Sequence, residues 1–245
     1  MTEIHKDFGE KLTAALAENG YSGLLTPEQA TLFGRAAEVL VAKNEEVNLT
    51  AITDEEGILF RHYVDSLTVV PLIPEGARMC DVGAGAGFPS LPVALARPDV
   101  RVLAVDSVGK KMRALTEQAE ALGLGNLSAR AARAEEMGRS AADRERFDFV
   151  TARAVTRLNV LAELCLPLLR VGGTLAAMKA KTADEELTEA KRAIALMGGT
   201  VREARAFTLT HAGETLERTI ILIEKTSPTP PAYPRNFSQI NKKPL

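Results

Sequence analysis

The chain has 245 residues, 46% of them apolar, and a formal net charge of −2. That suffices for one sizeable core, or one core with a small helical cap. It excludes the global basic field that announces nucleic-acid binding, so any RNA site must be a local patch.

Residues 1–75 read as a helical N-terminal cap. A first helix is expected from Ile4 to Ala17, stopped by Asn19-Gly20, a left-handed cap signal. Thr26-Pro27-Glu28-Gln29 is a helix start, with a threonine cap, a proline in the first turn and a glutamine reaching back. Ala30, Phe33, Ala37, Leu40 and Val41 follow at helical spacing. Thr53-Asp54-Glu55-Glu56 reads as a second capping box, opening a helix with Ile58, Leu59, Tyr63 and Leu67 on its apolar side.

Over residues 76–225 the rhythm changes to short apolar runs alternating with helical patterns. Strands are expected at Arg78–Val82, Arg101–Asp106, Leu127–Ala131, Phe147–Ala152, Gly173–Lys179, Val201–Leu209 and Thr219–Lys225. Helices are expected at Leu91–Ala96, Lys110–Leu122, Leu158–Leu169 and Asp184–Met197, the last opened by Thr182. This alternation describes an α/β fold, a mostly parallel seven-stranded sheet covered on both faces. No helical pattern separates the last two runs, so they pair as a hairpin and place one antiparallel strand in the sheet. That arrangement is Rossmann-like and typical of methyl-donor enzymes. Residues 226–245, rich in proline and basic residues, read as an extended, mobile tail.

The chemistry concentrates where the first strand ends. Asp81-Val82-Gly83-Ala84-Gly85-Ala86-Gly87-Phe88 carries glycines at alternate positions, which let the backbone turn sharply and approach a ligand closely. The second strand ends in Asp106, placed to take both hydroxyls of a ribose. A dinucleotide site prefers a different glycine spacing and sets a pyrophosphate on the helix N-terminus. Asp81 would repel that pyrophosphate and suits a cofactor bearing an ammonium and a sulfonium, S-adenosylmethionine. A tight strand–helix turn without a ligand is the plain alternative.

Further candidates sit at the remaining strand ends, where ligands of open parallel sheets bind. Ala134 and Glu135 follow the third strand, where Glu135 either lines an adenine pocket or starts a helix. Arg153 follows the fourth, either half-buried in an ion pair or aimed into the cleft, with the cleft favoured. Lys179 and Lys181 follow the fifth. His62 sits on a helix between Arg61 and Asp65 and is more readily structural than catalytic.

Some chemistry is missing. The fourth strand lacks the Asn/Asp-Pro-Pro-aromatic turn of exocyclic-amine methylases. Cys80 and Cys165 lie in apolar runs as core residues of a reduced chain, which rules out a pyrimidine C5 nucleophile, a disulfide framework and metal-ligand spacing. No paired base is evident. No secretory pattern or long apolar run is present, so a soluble cytoplasmic protein without membrane contact is expected.

Several motifs together resemble the bacterial guanine-N7 methyltransferases of small-subunit ribosomal RNA, also called glucose-inhibited division protein B. They are Asn48-Leu49-Thr50, Arg61-His62-Tyr63-Val64-Asp65-Ser66-Leu67, the turn ending Gly87-Phe88-Pro89, and Asp106-Ser107 with Lys110. They continue through Arg133-Ala134-Glu135-Glu136, Arg153-Ala154, Gly172-Gly173 with Lys179, Glu185-Glu186-Leu187, Tyr233-Pro234-Arg235 and Lys243-Pro244-Leu245. Ser90 departs from the glycine usual after Phe-Pro.

The resemblance implies a class I methyltransferase fold, with S-adenosylmethionine contacted by Gly83, Phe88, Ala134, Glu135 and Arg153. It implies 16S ribosomal RNA as substrate, naked or within a small subunit or assembly intermediate. Guanine N7 carries a free lone pair and loses no proton, which fits the missing base; placement is then the main task. Arg153 is the candidate positioning residue. Asp81, Gly85, Gly87 and Asp106 complete the expected cofactor set. Lys110, Lys111, Arg113, Lys179, Lys181, Arg235, Lys242 and Lys243 are candidates for RNA phosphates, His62 for another RNA contact, and Arg153 or Phe88 for stacking on the base. Competing readings are a small-molecule or protein methyltransferase on the same fold, and a non-catalytic RNA-binding assembly factor.

Overall fold

The structure is a computed structural model and describes residues 3–180 and 183–245. Helix α1 (Phe8–Glu18) ends where Gly20 turns to φ +83°, with the Tyr21 amide donating back to the Leu16 carbonyl and Gly20 to Ala17. This is the paired closure that a glycine permits after a helix. Helix α2 (Pro27–Val47) opens on the expected reciprocal cap between Thr26 and Gln29 and closes on Asn48, left-handed at φ 52°. Next, α3 (Glu55–Gly57) runs through a π-helical stretch (Ile58–Val64) into α4 (Asp65–Leu67). Its cap is Asp54, whose carboxylate accepts the Gly57 amide. Thr53 is therefore not the cap, and Glu55 instead turns to His5 and Lys11.

The alternating region forms β1 (Arg78–Val82), α5 (Ser90–Ala96), β2 (Arg101–Asp106), α6 (Gly109–Ala121), β3 (Leu127–Ala131), α7 (Ala134–Met137), β4 (Phe147–Arg153), α8 (Leu158–Cys165), β5 (Leu169–Lys179), α9 (Ala183–Leu196), β6 (Gly199–His211) and β7 (Glu214–Lys225). The sheet order is β3-β2-β1-β4-β5-β7-β6, with β7 antiparallel to both its neighbours. The other six strands share one direction, and the order reverses at β1/β4, the place where such sheets open a cleft. The expected opening of α9 at Thr182 lies outside the described residues.

Alternate strand residues feed two cores, as a period of two requires. Met79, Val102, Ala104 and Phe149 face one way and share a cluster with Phe8, Leu12, Phe33, Leu40 and Tyr63 of the N-terminal helices. Cys80, Val105, Val150 and Ile221 face the other way, against α8, α9 and Ile240. Tyr63 meets the rings of Phe8 and Phe33 edge-on at 5.8 and 5.2 Å. The N-terminal helices thus carry one face of the sheet.

The tail corrects its composition-based reading. Arg144 donates to the carbonyls of Thr229, Pro230 and Tyr233, and Arg139 donates to that of Pro234. Arg235 grips the buried Glu163 with Nε and a terminal nitrogen, and α10 (Phe237–Lys242) buries Ile240 completely. Proline-rich sequence is here a strap held by arginine donors to its free carbonyls.

Candidate active site

A cleft of about 970 Å³ opens at the carboxyl ends of β1, β2, β4 and β5, bounded on the far side by the α3–α4 helix and β7. The glycine turn forms its floor. Gly83 and Ala84 both donate to the Val105 carbonyl, and Gly83, Gly85 and Gly87 take φ of +74°, +56° and +97°. A Cβ at Gly83 would stand 2.5 Å from Val155 Cγ2, and one at Gly87 2.6 Å from Leu115 Cδ1. The backbone there lies closer to its neighbours than a side chain permits. Asp106 borders the turn, accepting from the Gly85 amide at 3.0 Å and the Val108 amide at 2.8 Å. Ala154, opposite Gly83, is left-handed at φ 55°, backbone strain of the kind that gathers at functional sites.

A polar wall faces this floor. Asp65, 4% exposed, accepts from Arg153 at 3.1 Å on one oxygen and from Arg218 Nε at 2.8 Å on the other. Arg153 also donates to the Arg61 carbonyl and lies 5.5 Å from the Phe88 ring centroid. The two readings of Arg153 are therefore both realised: it is ion-paired and it lines the cleft. His62 stacks on Phe88 with centroids 4.2 Å apart, and its Nε2 pairs with Thr50 Oγ1 at 2.8 Å. Burial, with the Arg153 charge adding to it, lowers the His62 pKa to about 3, so the ring is neutral near pH 7. The His-x-x-Asp spacing has a plain physical content: it sets one neutral ring and one carboxylate on the same wall.

Several expected site residues stand elsewhere. Asp81 is fully buried beneath the turn. It accepts from the Ser90 hydroxyl and amide and from the Thr151 hydroxyl, so it fastens α5 and β4 rather than facing the cleft. Burial pushes its carboxyl up from the ordinary value, against the opposing pull of those bonds and of Arg153. Ser90, the departure from the glycine pattern, supplies that hydroxyl. Gly87 is buried against Leu115. Ala134 and Glu135 are buried at the start of α7, off the cleft wall, although the Ala132 amide donates to the Asp106 carbonyl beside them.

Phe88 is 5% exposed with His62 against it, which leaves little ring for a base to stack on. Lys111 lines the cleft, while Lys110 and Arg113 are exposed on α6 beyond it. Lys179 lines the cleft but is engaged by the Thr156 carbonyl and Glu186 at 2.6 and 2.7 Å. Lys181 lies outside the described residues. Arg235 is committed to Glu163, whereas Lys242 and Lys243 are exposed on the tail. Cys80 and Cys165 are buried, and burial raises both thiols, which leaves them inert as nucleophiles. Sequence reasoning missed Asp65 as a hub, and Arg218 and Phe207 as wall residues. The available signal for Arg218 was a cation at the start of a hydrophobic strand run.

The family model for GidB, rRNA small subunit methyltransferase G, matches residues 29–215. The chain belongs to this family. The rRNA small subunit methyltransferase G of Lactobacillus delbrueckii subsp. bulgaricus is 47% identical over 92% of the chain and 95% of its own length. That of Geobacillus thermodenitrificans is 47% identical over 95% and 97%. In fold the chain is similar to a SAM-dependent methyltransferase from Methanosarcina mazei, with TM-score 0.52 and 15% identity over 65% of this chain and 97% of that one. The protein is thus a methyltransferase of the GidB family, and S-adenosylmethionine is its cofactor. The site fits that group on its own terms. A floor built of the small residues Gly83, Ala84, Gly85 and Ala86, a carboxylate at the rim and a cleft at the upper end of single-ligand volumes leave room for a nucleoside with a target base beside it.

Proposed function

We propose that the protein methylates N7 of a guanine in small-subunit (16S) ribosomal RNA, acting in the cytoplasm on the RNA of the small subunit or its assembly intermediate. The observation that carries this reading is how the polar groups of the cleft wall are held. His62 is neutral with its pKa near 3, Asp65 is committed to two guanidinium groups, Asp106 to two backbone amides, and Lys179 to Glu186 and a carbonyl. Such a wall positions and does not abstract protons. Guanine N7 asks for that alone, because it attacks through a lone pair and has no proton to lose.

The cofactor, when bound, supplies an electrophilic methyl group on a sulfonium. The chain's residues do the rest. In this reading Gly83 and Gly85 let the backbone approach the cofactor and Asp106 takes the ribose hydroxyls, while the buried Gly87, Ala134 and Glu135 shape the turn and the neighbouring strand end from behind. Arg153, fixed by Asp65, lies where a guanidinium can donate to guanine O6, the acceptor beside N7. Holding the nitrogen near ~3 Å from the methyl group is catalysis by proximity. Lys111, with Lys110, Arg113 and Lys243 further out, meets the RNA backbone.

The test incubates the protein with labelled S-adenosylmethionine and separated ribosomal subunits, followed by nucleoside analysis. Label in 7-methylguanosine of the small-subunit RNA is expected. Label in another nucleoside, in a protein or in free nucleotides overturns the reading.

A further inference from the structure

The opposite end of the sheet carries a second, basic groove. Arg78 and Arg101 are the first residues of β1 and β2 and stand side by side in register. With Arg130 of β3 they line a hollow of about 410 Å³ whose floor includes Leu103 and Phe147. A neighbouring hollow of about 580 Å³ shares Arg101 and continues past the turn at Gly123–Asn126. The first hollow reaches Leu127, Ser128 and Arg130 of the edge strand β3, and the second lies against α2 and α5.

The charge in this groove is unbalanced. Arg130 reaches Asp143 at 2.8 Å, yet its buried Nε has no acceptor. Arg78 lies over the Phe147 ring with its Cζ 4.9 Å from the centroid, a contact that leaves its charge unneutralised. Among the described residues neither Arg78 nor Arg101 forms an ion pair within 4.0 Å. The nearby Asp148 is taken by Arg170 at 2.6 Å and by the Arg78 amide. Three guanidinium groups therefore face one hollow with a single carboxylate in it, on a chain whose net charge is −2. Guanidinium forks match phosphate oxygens in geometry as well as in charge.

We propose that this groove is a second RNA-docking site, which takes the phosphodiester backbone of ribosomal RNA outside the segment that enters the cleft. The inference rests on the reading of ribosomal RNA as substrate. A folded RNA particle is far larger than the cleft, and contacts on two ends of the sheet set its orientation as well as its affinity. Phosphate contacts of this kind position without reading sequence.

The experiment compares the double variant Arg78→Ala/Arg101→Ala with a control, Arg202→Ala/Arg205→Ala, which removes the same charge from the exposed strand β6. The measurements are methyl transfer to small subunits, salt-dependent binding of naked small-subunit RNA, cofactor affinity and thermal unfolding. In the groove variant KM for the subunit rises about tenfold with kcat unchanged, and the slope of log K against log salt falls by about 1.5, two phosphate contacts' worth. Cofactor affinity stays at the wild-type value. Should the alanine variant unfold, Arg78→Lys/Arg101→Lys keeps the charge and is expected to hold the wild-type slope, while the single variant Arg101→Ala loses about half of the shift. A KM and slope that move no further than in the control overturn the proposal. So does a variant that binds naked RNA normally and loses only the assembled subunit, because the groove then meets a ribosomal protein. If the wild type places no label in ribosomal RNA, the functional reading has failed, and the RNA-binding slope still decides the groove.

Discussion

Arg153 offers the sharpest test of the site, because Asp65 is shared. Arg153→Ala removes one charge-assisted bond to Asp65, one bond to the Arg61 carbonyl and the contact with Phe88. Asp65 keeps Arg218 on its other oxygen, so the loss should be about 2 kcal/mol and not the full cost of a stranded carboxylate, ~3–5 kcal/mol. Arg218→Ala should behave alike. Removing both arginines leaves a carboxylate that is 4% exposed without a cation, so the double variant should exceed the sum of the single losses by about 1–3 kcal/mol. Urea unfolding of the four proteins reads this directly. Each single variant should lower the melting temperature by about 4–8 °C. Methyl transfer by Arg153→Ala should fall about a hundredfold per folded molecule, as expected for a displaced positioning group. Strictly additive stabilities refute the shared-carboxylate account, and normal activity per folded molecule refutes the positioning role.

Three further outcomes follow from the same geometry. Asp106→Ala should weaken S-adenosylmethionine binding at least about tenfold, the worth of one charge-assisted hydrogen bond; unchanged affinity by calorimetry in a folded variant removes Asp106 from the cofactor site. Because the folded-state pKa of His62 is about 3 against an ordinary 6.5, the unfolded chain binds a proton there that the folded chain does not. Stability should therefore fall as pH drops from 6.5 towards 3, by up to about 1.4 kcal/mol per unit from this group. The His62→Gln variant should show a shallower slope in that window, and identical slopes refute the buried neutral ring. Ser90→Ala removes a donor from the fully buried Asp81 and should cost about 1–3 kcal/mol; an unchanged melting temperature shows that the Asp81–Thr151 and amide bonds suffice.

The sheet was legible because strand and helix periods alternate cleanly from Arg78 onward, and because nothing helical intervenes before the last hairpin. The glycine turn and Asp106 were legible because they depend on local backbone conformation, which a sequence carries on its face. Asp81 was misplaced for a related reason. Strand alternation tells which face a residue takes, but not whether a neighbour such as Ser90 will close over it. Asp65 and Arg218 were not legible as partners, since only the sheet register and the angle of the α3–α4 helix bring them together. The π-helical winding at Ile58–Val64 leaves no mark in a pattern read at 3.6 residues per turn. The tail was misread because proline content describes a free chain, whereas Arg139, Arg144 and Glu163 lie far away in sequence.

The shared carboxylate also bears on the order of assembly. Asp65 lies 88 positions from Arg153 and 153 from Arg218. Its neutralisation therefore waits on the N-terminal helices, the middle of the sheet and the final hairpin all being in place. No contiguous fragment shorter than the span from Asp65 to Arg218 contains that triad, and a chain without its final hairpin leaves Asp65 lacking one of its two cations. Dividing the protein between β5 and β6 should accordingly yield two inactive halves whose recombination restores the site in a single step, a natural basis for a complementation reporter.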